Sequence, residues 1–300
     1  MKKRDFGKTG LKVTPLGFGS AELGGQDITQ GECDRFLNAI LDAGINFIDT
    51  AMCYGDSEDK IGRSISHRRD EFVLSTKCGH PVDDAPQWSA EVVQKSTEQS
   101  LRRLRTDHLD VLLVHSCTAD QLNDEMIAAL QACRKAGKTR AIGYSGDRDA
   151  CRKAVEMGVF DALETSVSIC DQEAISLTLP PAQEAAMGVI AKRPIANACW
   201  RDASTFNEFY AKYARPYAER LAAMGFTLAS VGFDGSWVEL AVRFSAYQPG
   251  VHCAIIGSTN VGHVLENVKA ADKGPLHESV VKAIRDAWLE NDDGSWRGSN

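Results

Sequence analysis

Closely spaced cysteines are missing from this sequence. The chain has nine, and the nearest pair, Cys117 and Cys133, is too far apart for a C-x-x-C zinc or redox motif. The odd count argues against a disulfide framework, so free thiols, mostly core filler, are expected. An excess of positive charge is missing as well: 34 Lys and Arg face 41 Asp and Glu, a net charge of −7. Polyanion binding draws most of its affinity from counterion release at basic faces, so nucleic acid and membrane surfaces drop out as partners. No stretch approaches the ~18 apolar residues of a membrane span. The basic opening MKKRDFGKTG has no apolar run behind it, and a cytoplasmic protein is expected. Low-complexity linkers and internal repeats are absent too, so residues 1–300 are expected to form one domain.

What is present is a recurring β-branched run. Candidate strands are LGFGS (16–20), INFIDT (45–50), FVLSTK (72–77), LDVLLVH (109–115), RAIGYS (140–145), ALETSVS (162–168), GVIAKRP (188–194) and CAIIGS (253–258). Amphipathic segments lie between them. In Glu32 to Asp42, for example, Phe36, Leu37, Ile40 and Leu41 share one face before Ala43-Gly44 closes the helix. Glu91–Leu104, Glu125–Lys135, Asp149–Met157 and Gln183–Met187 each precede a strand in the same way. Strands alternating with helices indicate a parallel sheet, and eight such units predict a single (β/α)8 TIM barrel. Arg4–Gly7 and Leu11–Val13, around Lys8-Thr9-Gly10, predict an N-terminal β-hairpin closing the barrel floor. The crossover between strands seven and eight, Ala198 to Val251, is long and carries Trp200, Phe206, Phe209, Tyr210, Tyr213, Tyr217, Phe226, Phe233 and Trp237 in a chain only 7% aromatic. It reads as extra helices on the barrel, with Trp200 a candidate to overhang the mouth.

In parallel barrels function collects at the C-terminal ends of the strands. There, strand two offers Asp49 with Tyr54-Gly55 just beyond, strand three Lys77 and strand four His115. Singly, each has a structural explanation. Together they are complementary: an ammonium favours a nearby phenolate, and a carboxylate keeps a buried lysine charged. The expectation is that Lys77 lowers the Tyr54 pKa, Asp49 pairs with Lys77, and His115 donates a hydrogen bond to a substrate oxygen. Such a set suits a carbonyl under reduction. A metal-dependent hydrolase would need a ligand cluster, and the first strand, GFGS, has no His-x-His pair.

The blocks FGKTGLKVTPLGFGS, INFIDTAMCYG, STK, LDVLLVHS, IGYS and IIGSTNVGHVLENV follow one another in an order and spacing that resemble the aldo-keto reductases over nearly the whole chain. The resemblance implies an eight-stranded barrel, no metal, a nicotinamide cofactor held without a Rossmann domain, and reduction of an aldehyde or ketone or the reverse, with Tyr54 as acid/base. It places Ser145 on the nicotinamide carboxamide, with Gly146 where asparagine is usual. Glu164 stands where the family has Gln, and Lys192 replaces the usual stacking aromatic, with Arg193 able to reach the pyrophosphate. Gly257, Ser258, Thr259, His263 and Asn267 fall at the adenosine end, and Trp88 and Trp200 near the substrate pocket. NADP(H) is the expected cofactor, with NAD(H) the alternative because Gly257 and His263 replace the basic residues of NADP-selective members. The departures at Gly146, Glu164 and Lys192 keep open a cofactor-binding regulatory or redox-sensor protein with little turnover.

Overall fold

The structure is a computed structural model that describes residues 1–25, 27–202, 204 and 208–298. Eight parallel strands close into a barrel: β3 (Leu16–Gly19), β4 (Phe47–Asp49), β5 (Val73–Cys78), β6 (Leu109–His115), β7 (Thr139–Ser145), β8 (Ala162–Ser166), β9 (Gly188–Lys192) and β10 (Cys253–Ile256), with β10 pairing β3 and β9. The expected barrel is therefore observed. Two short antiparallel strands, β1 (Arg4–Asp5) and β2 (Lys12–Val13), precede it. Their hairpin drops Phe6 into the barrel floor, fully buried beside Phe47, with ring centroids 5.8 Å apart. Above it, Val73, Val111, Leu113, Ala162, Ile190 and Ile255 fill the interior.

Helix α1 (Gln30–Asp42) starts at a capping box in which the Thr29 side chain accepts from the Glu32 amide and the Glu32 carboxylate accepts from the Thr29 amide. Gly44, at φ +88°, follows its C-cap. Helices α3 (Ala90–Leu104), α4 (Asp124–Lys135) and α5 (Arg148–Glu156) lie within a residue of their expected bounds at both ends. Two others differ. Helix α2 (Ser57–Ile65) is not foreshadowed by apolar periodicity, because Ser57, Glu58, Lys60 and Ser64 are among the residues it buries. There one Glu58 oxygen accepts from the Thr76 hydroxyl at 2.7 Å while the other lies 3.7 Å from Arg103, and Lys60 donates to the Leu23 and Gly25 carbonyls. The helix expected from Gln183 instead runs from Leu179 to Glu184, after a short α6 (Glu173–Leu177), since Pro180 and Pro181 fit a first turn whose N–H groups lack partners anyway.

The long crossover holds α8 (Glu208–Met224) and α9 (Trp237–Ala246); α10 (Val261–Asp272) and α11 (Glu278–Asn291) follow the last strand. Helices α8, α9 and α11 build a second apolar cluster around Tyr217, Leu240, Phe244, Ile284 and Trp288. Phe206 and the side chains of Phe209 and Tyr210 lie outside the described residues.

Asp110, at the floor end of β6, is 2% exposed and binds Arg69 at 2.7 Å, Arg140 at 2.9 Å and the Leu74 amide at 2.8 Å. Asp110→Ala leaves the buried Leu74 amide without its acceptor and takes one partner from Arg69 and from the half-exposed Arg140, and is expected to cost about 2–3 kcal/mol in urea unfolding. Because the site chemistry is at the opposite rim, kcat should hold; a stability loss under ~1 kcal/mol would contradict the assignment.

Candidate active site

Barrel register sets the rim. Asp49 is the last residue of β4, opposite Ser75 of β5; His115 ends β6 opposite Ser145, which in turn lies opposite Glu164 of β8. Asp49, Lys77, Ser145 and Glu164 are each 1–2% exposed. The Lys77 ammonium forms an ion pair with Asp49, donates to the Thr50 carbonyl at 3.0 Å, and lies 3.4 Å from Glu164. It also sits 5.3 Å from the centre of the Tyr54 ring, which meets the His115 ring edge-on at 5.7 Å. The four residues singled out from strand ends are thus one cluster.

Tyr54 is positioned by a backbone contact. Gly55 has φ +53°, and a Cβ there would stand 2.3 Å from the Gly24 carbonyl oxygen. The turn therefore presses against the 3-10 turn Ala21–Gly24, which only glycine permits.

Burial dominates the electrostatics. It pushes Tyr54 up to about 12, with Lys77 pulling the other way and Asp49 and Glu164 reinforcing the rise. The expected lowering by Lys77 is therefore reversed, because two buried carboxylates offset one ammonium and little water solvates a phenolate. Burial, then Glu164, pushes Asp49 up to about 7 against the pull of Lys77. Burial also opposes the charge on Lys77, but Asp49 and Glu164 overcome it and the ammonium is held firmly protonated. His115 is driven well below the usual imidazole range, first by burial and then by Lys77, so its ring is neutral at pH 7.

The Asp49-Tyr54 side of the rim borders a cavity of about 540 Å³, also lined by Glu22, Glu164, Lys192, Arg193 and Gly257. Ser145 donates to one Glu164 oxygen at 3.0 Å, while the other is buried without a hydrogen bond. Gly146 has a steric reason to differ from asparagine: a Cβ there would stand 2.3 Å from the Tyr144 hydroxyl, which donates to the Cys117 carbonyl at 2.7 Å. Lys192 is engaged by Asp147 at 2.8 Å, and the Arg193 guanidinium donates to the Ser166 hydroxyl at 3.2 Å. Arg193, Ala196, Asn197 and Ala198 all have φ between 44° and 55°, a run of left-handed backbone in the loop beside the cavity.

At the far end, Asn260 caps α10 by accepting from the Gly262 amide at 2.8 Å and the His263 amide at 3.4 Å. Thr259 lines a second cleft with Glu22, Asp27, Glu32 and Arg35. Ser258 and His263 belong to the turn and first turn of α10, and Asn267 is buried with its Oδ1 unpaired.

Two aromatic expectations divide. Trp88 packs beside His80 at 5.1 Å, and His80 meets His115 at 4.9 Å, so Trp88 belongs to the rim. Trp200 does not line the cavity; it stacks on Trp237 at 5.8 Å and 15°, because the satellite helices supply a larger apolar surface than the mouth. Trp296, near the C-terminus, packs on Trp288. Of the thiols near the rim, Cys78 and Cys117 are buried while Cys53 is exposed and 3.4 Å from His115 Nδ1.

Sequence reasoning missed Glu22 and Asp147. Both follow a strand closely, Glu22 after β3 and Asp147 after β7, so the strand-end rule that found Lys77 would have found them.

The aldo/keto reductase family model matches residues 15–289. An uncharacterized oxidoreductase of Bacillus subtilis is 27% identical, with 95% of this chain and 96% of that protein covered. The NADH-specific methylglyoxal reductase of Escherichia coli (strain K12) is 31% identical over 60% of this chain and 63% of its own length. An aldo-keto reductase from Bacillus halodurans, in its holo form, superposes with a TM-score of 0.82 at 25% identity, covering 96% of both chains. With the same barrel and a match running through every rim residue, this chain belongs to the aldo/keto reductase family of oxidoreductases.

Proposed function

We propose that this protein, a single barrel domain, reduces an aldehyde or ketone to an alcohol with a nicotinamide cofactor, Tyr54 serving as the proton donor. The observation that carries this reading is the Tyr54-Lys77-Asp49-His115 cluster at the edge of a cavity that Glu164 also lines. Glu164, with one oxygen accepting from Ser145 and the other facing Lys77 at 3.4 Å, would hold the nicotinamide carboxamide N–H2 together with Ser145, with Arg193 near the pyrophosphate. Bound there, the reduced cofactor supplies hydride to the carbonyl carbon. Tyr54, protonated throughout the physiological range, gives its proton to the forming alkoxide. Neutral His115, with Nδ1 against Cys53, has Nε2 left to hold the carbonyl oxygen. Lys77 sits beside the phenol and steadies the charge that appears there as the proton leaves. Lys192 is held by Asp147, so its part is to shape the cavity wall rather than to stack.

For the cofactor, the charge pattern supports NAD(H) over the NADP(H) expected from family resemblance. The Glu22 carboxylate would stand 2.5 Å from a Cβ on Gly257, and the neighbouring cleft sets Glu22, Asp27 and Glu32 against Arg35 alone. An extra phosphate there meets repulsion, and a relative is named as NADH-specific.

The test is to follow cofactor absorbance in purified protein with NADH or NADPH across a panel of aldehydes, ketones and sugars. Oxidation by at least one carbonyl, with NADH bound more tightly, is the expected result. Glu22→Gln should then improve NADPH binding about fivefold, the effect of removing roughly 1 kcal/mol of repulsion. Tight binding without turnover on any carbonyl would replace this reading with the sensor, and tighter NADPH binding would overturn the cofactor assignment.

A further inference from the structure

We propose that Cys53, His80 and His115 form a site for a zinc-class divalent ion at the barrel mouth, and that filling it stops carbonyl reduction. One ligand atom from each residue lies within 4.8 Å of the other two, the sole such group of three among the described residues. Cys53 follows β4 by four residues, His80 follows β5 by two, and His115 ends β6. Three consecutive strands therefore bring the ligands to one side of the rim.

The spacing suits the ion. Tetrahedral zinc, with bonds of ~2.3 Å to sulfur and ~2.0 Å to nitrogen, separates its ligand atoms by about 3.3–3.6 Å. The Cys53 sulfur and His115 Nδ1 already stand 3.4 Å apart. His80 has to close by about 1 Å, which a side-chain rotation supplies. Its Nδ1 faces the Gln87 side chain at 3.4 Å, which leaves Nε2 to ligate. Cys53 is exposed and both imidazoles are partly so, giving the ion a path from solvent. A thiol and two imidazoles select zinc, cobalt or copper over magnesium and calcium, which require oxygen ligands. On binding, the Cys53 S–H bond breaks, its proton goes to solvent and the thiolate takes the metal.

Three protein ligands leave a fourth position open. Tyr54 and Trp88 flank the three ligands, each in ring contact with one of the imidazoles. The ion takes Nδ1 of the ring whose Nε2 is meant to hold the carbonyl oxygen, so it locks that ring in place and sets a cation beside the reacting carbonyl. This inhibitory effect rests on the reductase reading; the site itself does not.

Cobalt(II) added to the full-length protein is the probe. Wild type should bind one equivalent with a thiolate-to-cobalt charge-transfer band in the near ultraviolet, bleached by zinc. Cys53→Ser should lose the band, and His80→Asn should weaken cobalt binding at least tenfold, with circular dichroism confirming that both variants fold. No band in wild type, or an unchanged band in Cys53→Ser, overturns the site. Zinc should inhibit wild-type turnover reversibly, relieved by EDTA, and Cys53→Ser should need over tenfold more. Equal sensitivity of the two overturns the inhibitory role. A protein that shows the cobalt band yet reduces no carbonyl would sink the reductase reading and leave the metal site standing.

Discussion

Tyr54→Phe is expected to lower kcat for carbonyl reduction by about 10²–10⁴, the range for loss of a general acid, while cofactor affinity changes less than about twofold. The substitution removes one hydroxyl and keeps the ring against His115 and Lys77. Burial that holds the phenol at about 12 makes the direction of the reaction matter. In reduction Tyr54 starts protonated, so wild-type kcat should stay flat from about pH 6 to about pH 9. In alcohol oxidation the phenolate is the working form, and the rate should climb with pH across that range. Oxidation that is independent of pH, or a Phe variant within tenfold of wild type, would remove Tyr54 from the role.

Lys77→Met is the second large effect, and it has two readouts. Asp49 and Glu164 share this one ammonium at 0% side-chain exposure. Without it, two buried carboxylates face each other with no cation, a loss of about 3–5 kcal/mol of stability near pH 8. The sign follows from Asp49. Its folded pKa is raised to about 7, so its contribution to stability is present at low pH and lost as pH rises through that value. Removing Lys77 raises it further. The variant should therefore lie closest to wild type near pH 5 and fall away above pH 7, in denaturant melts run at several pH values. Turnover should drop at least 10²-fold, since the phenol loses the charge that favours its anion. A stability deficit that is equal at pH 5 and pH 8 would show that the carboxylates are not coupled through Lys77.

Much of this molecule is legible in the residue pattern. The eight β-branched runs are the eight barrel strands, because burial on both faces of a parallel strand demands apolar residues of a kind the eye can count. Strand ends likewise point to Asp49, Tyr54, Lys77 and His115. Helix α2 escapes because its inner face is largely polar, held by hydrogen bonds from Lys60 to the Leu23 and Gly25 carbonyls and from Thr76 to Glu58. Periodicity reports apolar burial and is blind to that kind.

Other features depend on distances that no local pattern holds. Closing the barrel buries Tyr54, which reverses its shift, and carries Glu164 of β8 to within 3.4 Å of Lys77 on β5, turning a one-to-one ion pair into one cation with two acids. The partner of Lys192, the stacking of Trp200 on Trp237, and the meeting of Cys53, His80 and His115 are set in the same way. Strand count, barrel and the set Asp49, Tyr54, Lys77 and His115 are readable from the residues alone, since they follow from spacing and side-chain type along the chain. Tertiary structure alone decided which charges are paired, how far water is excluded from Tyr54 and which rings face the mouth, because Coulomb and desolvation energies depend on through-space separation and burial.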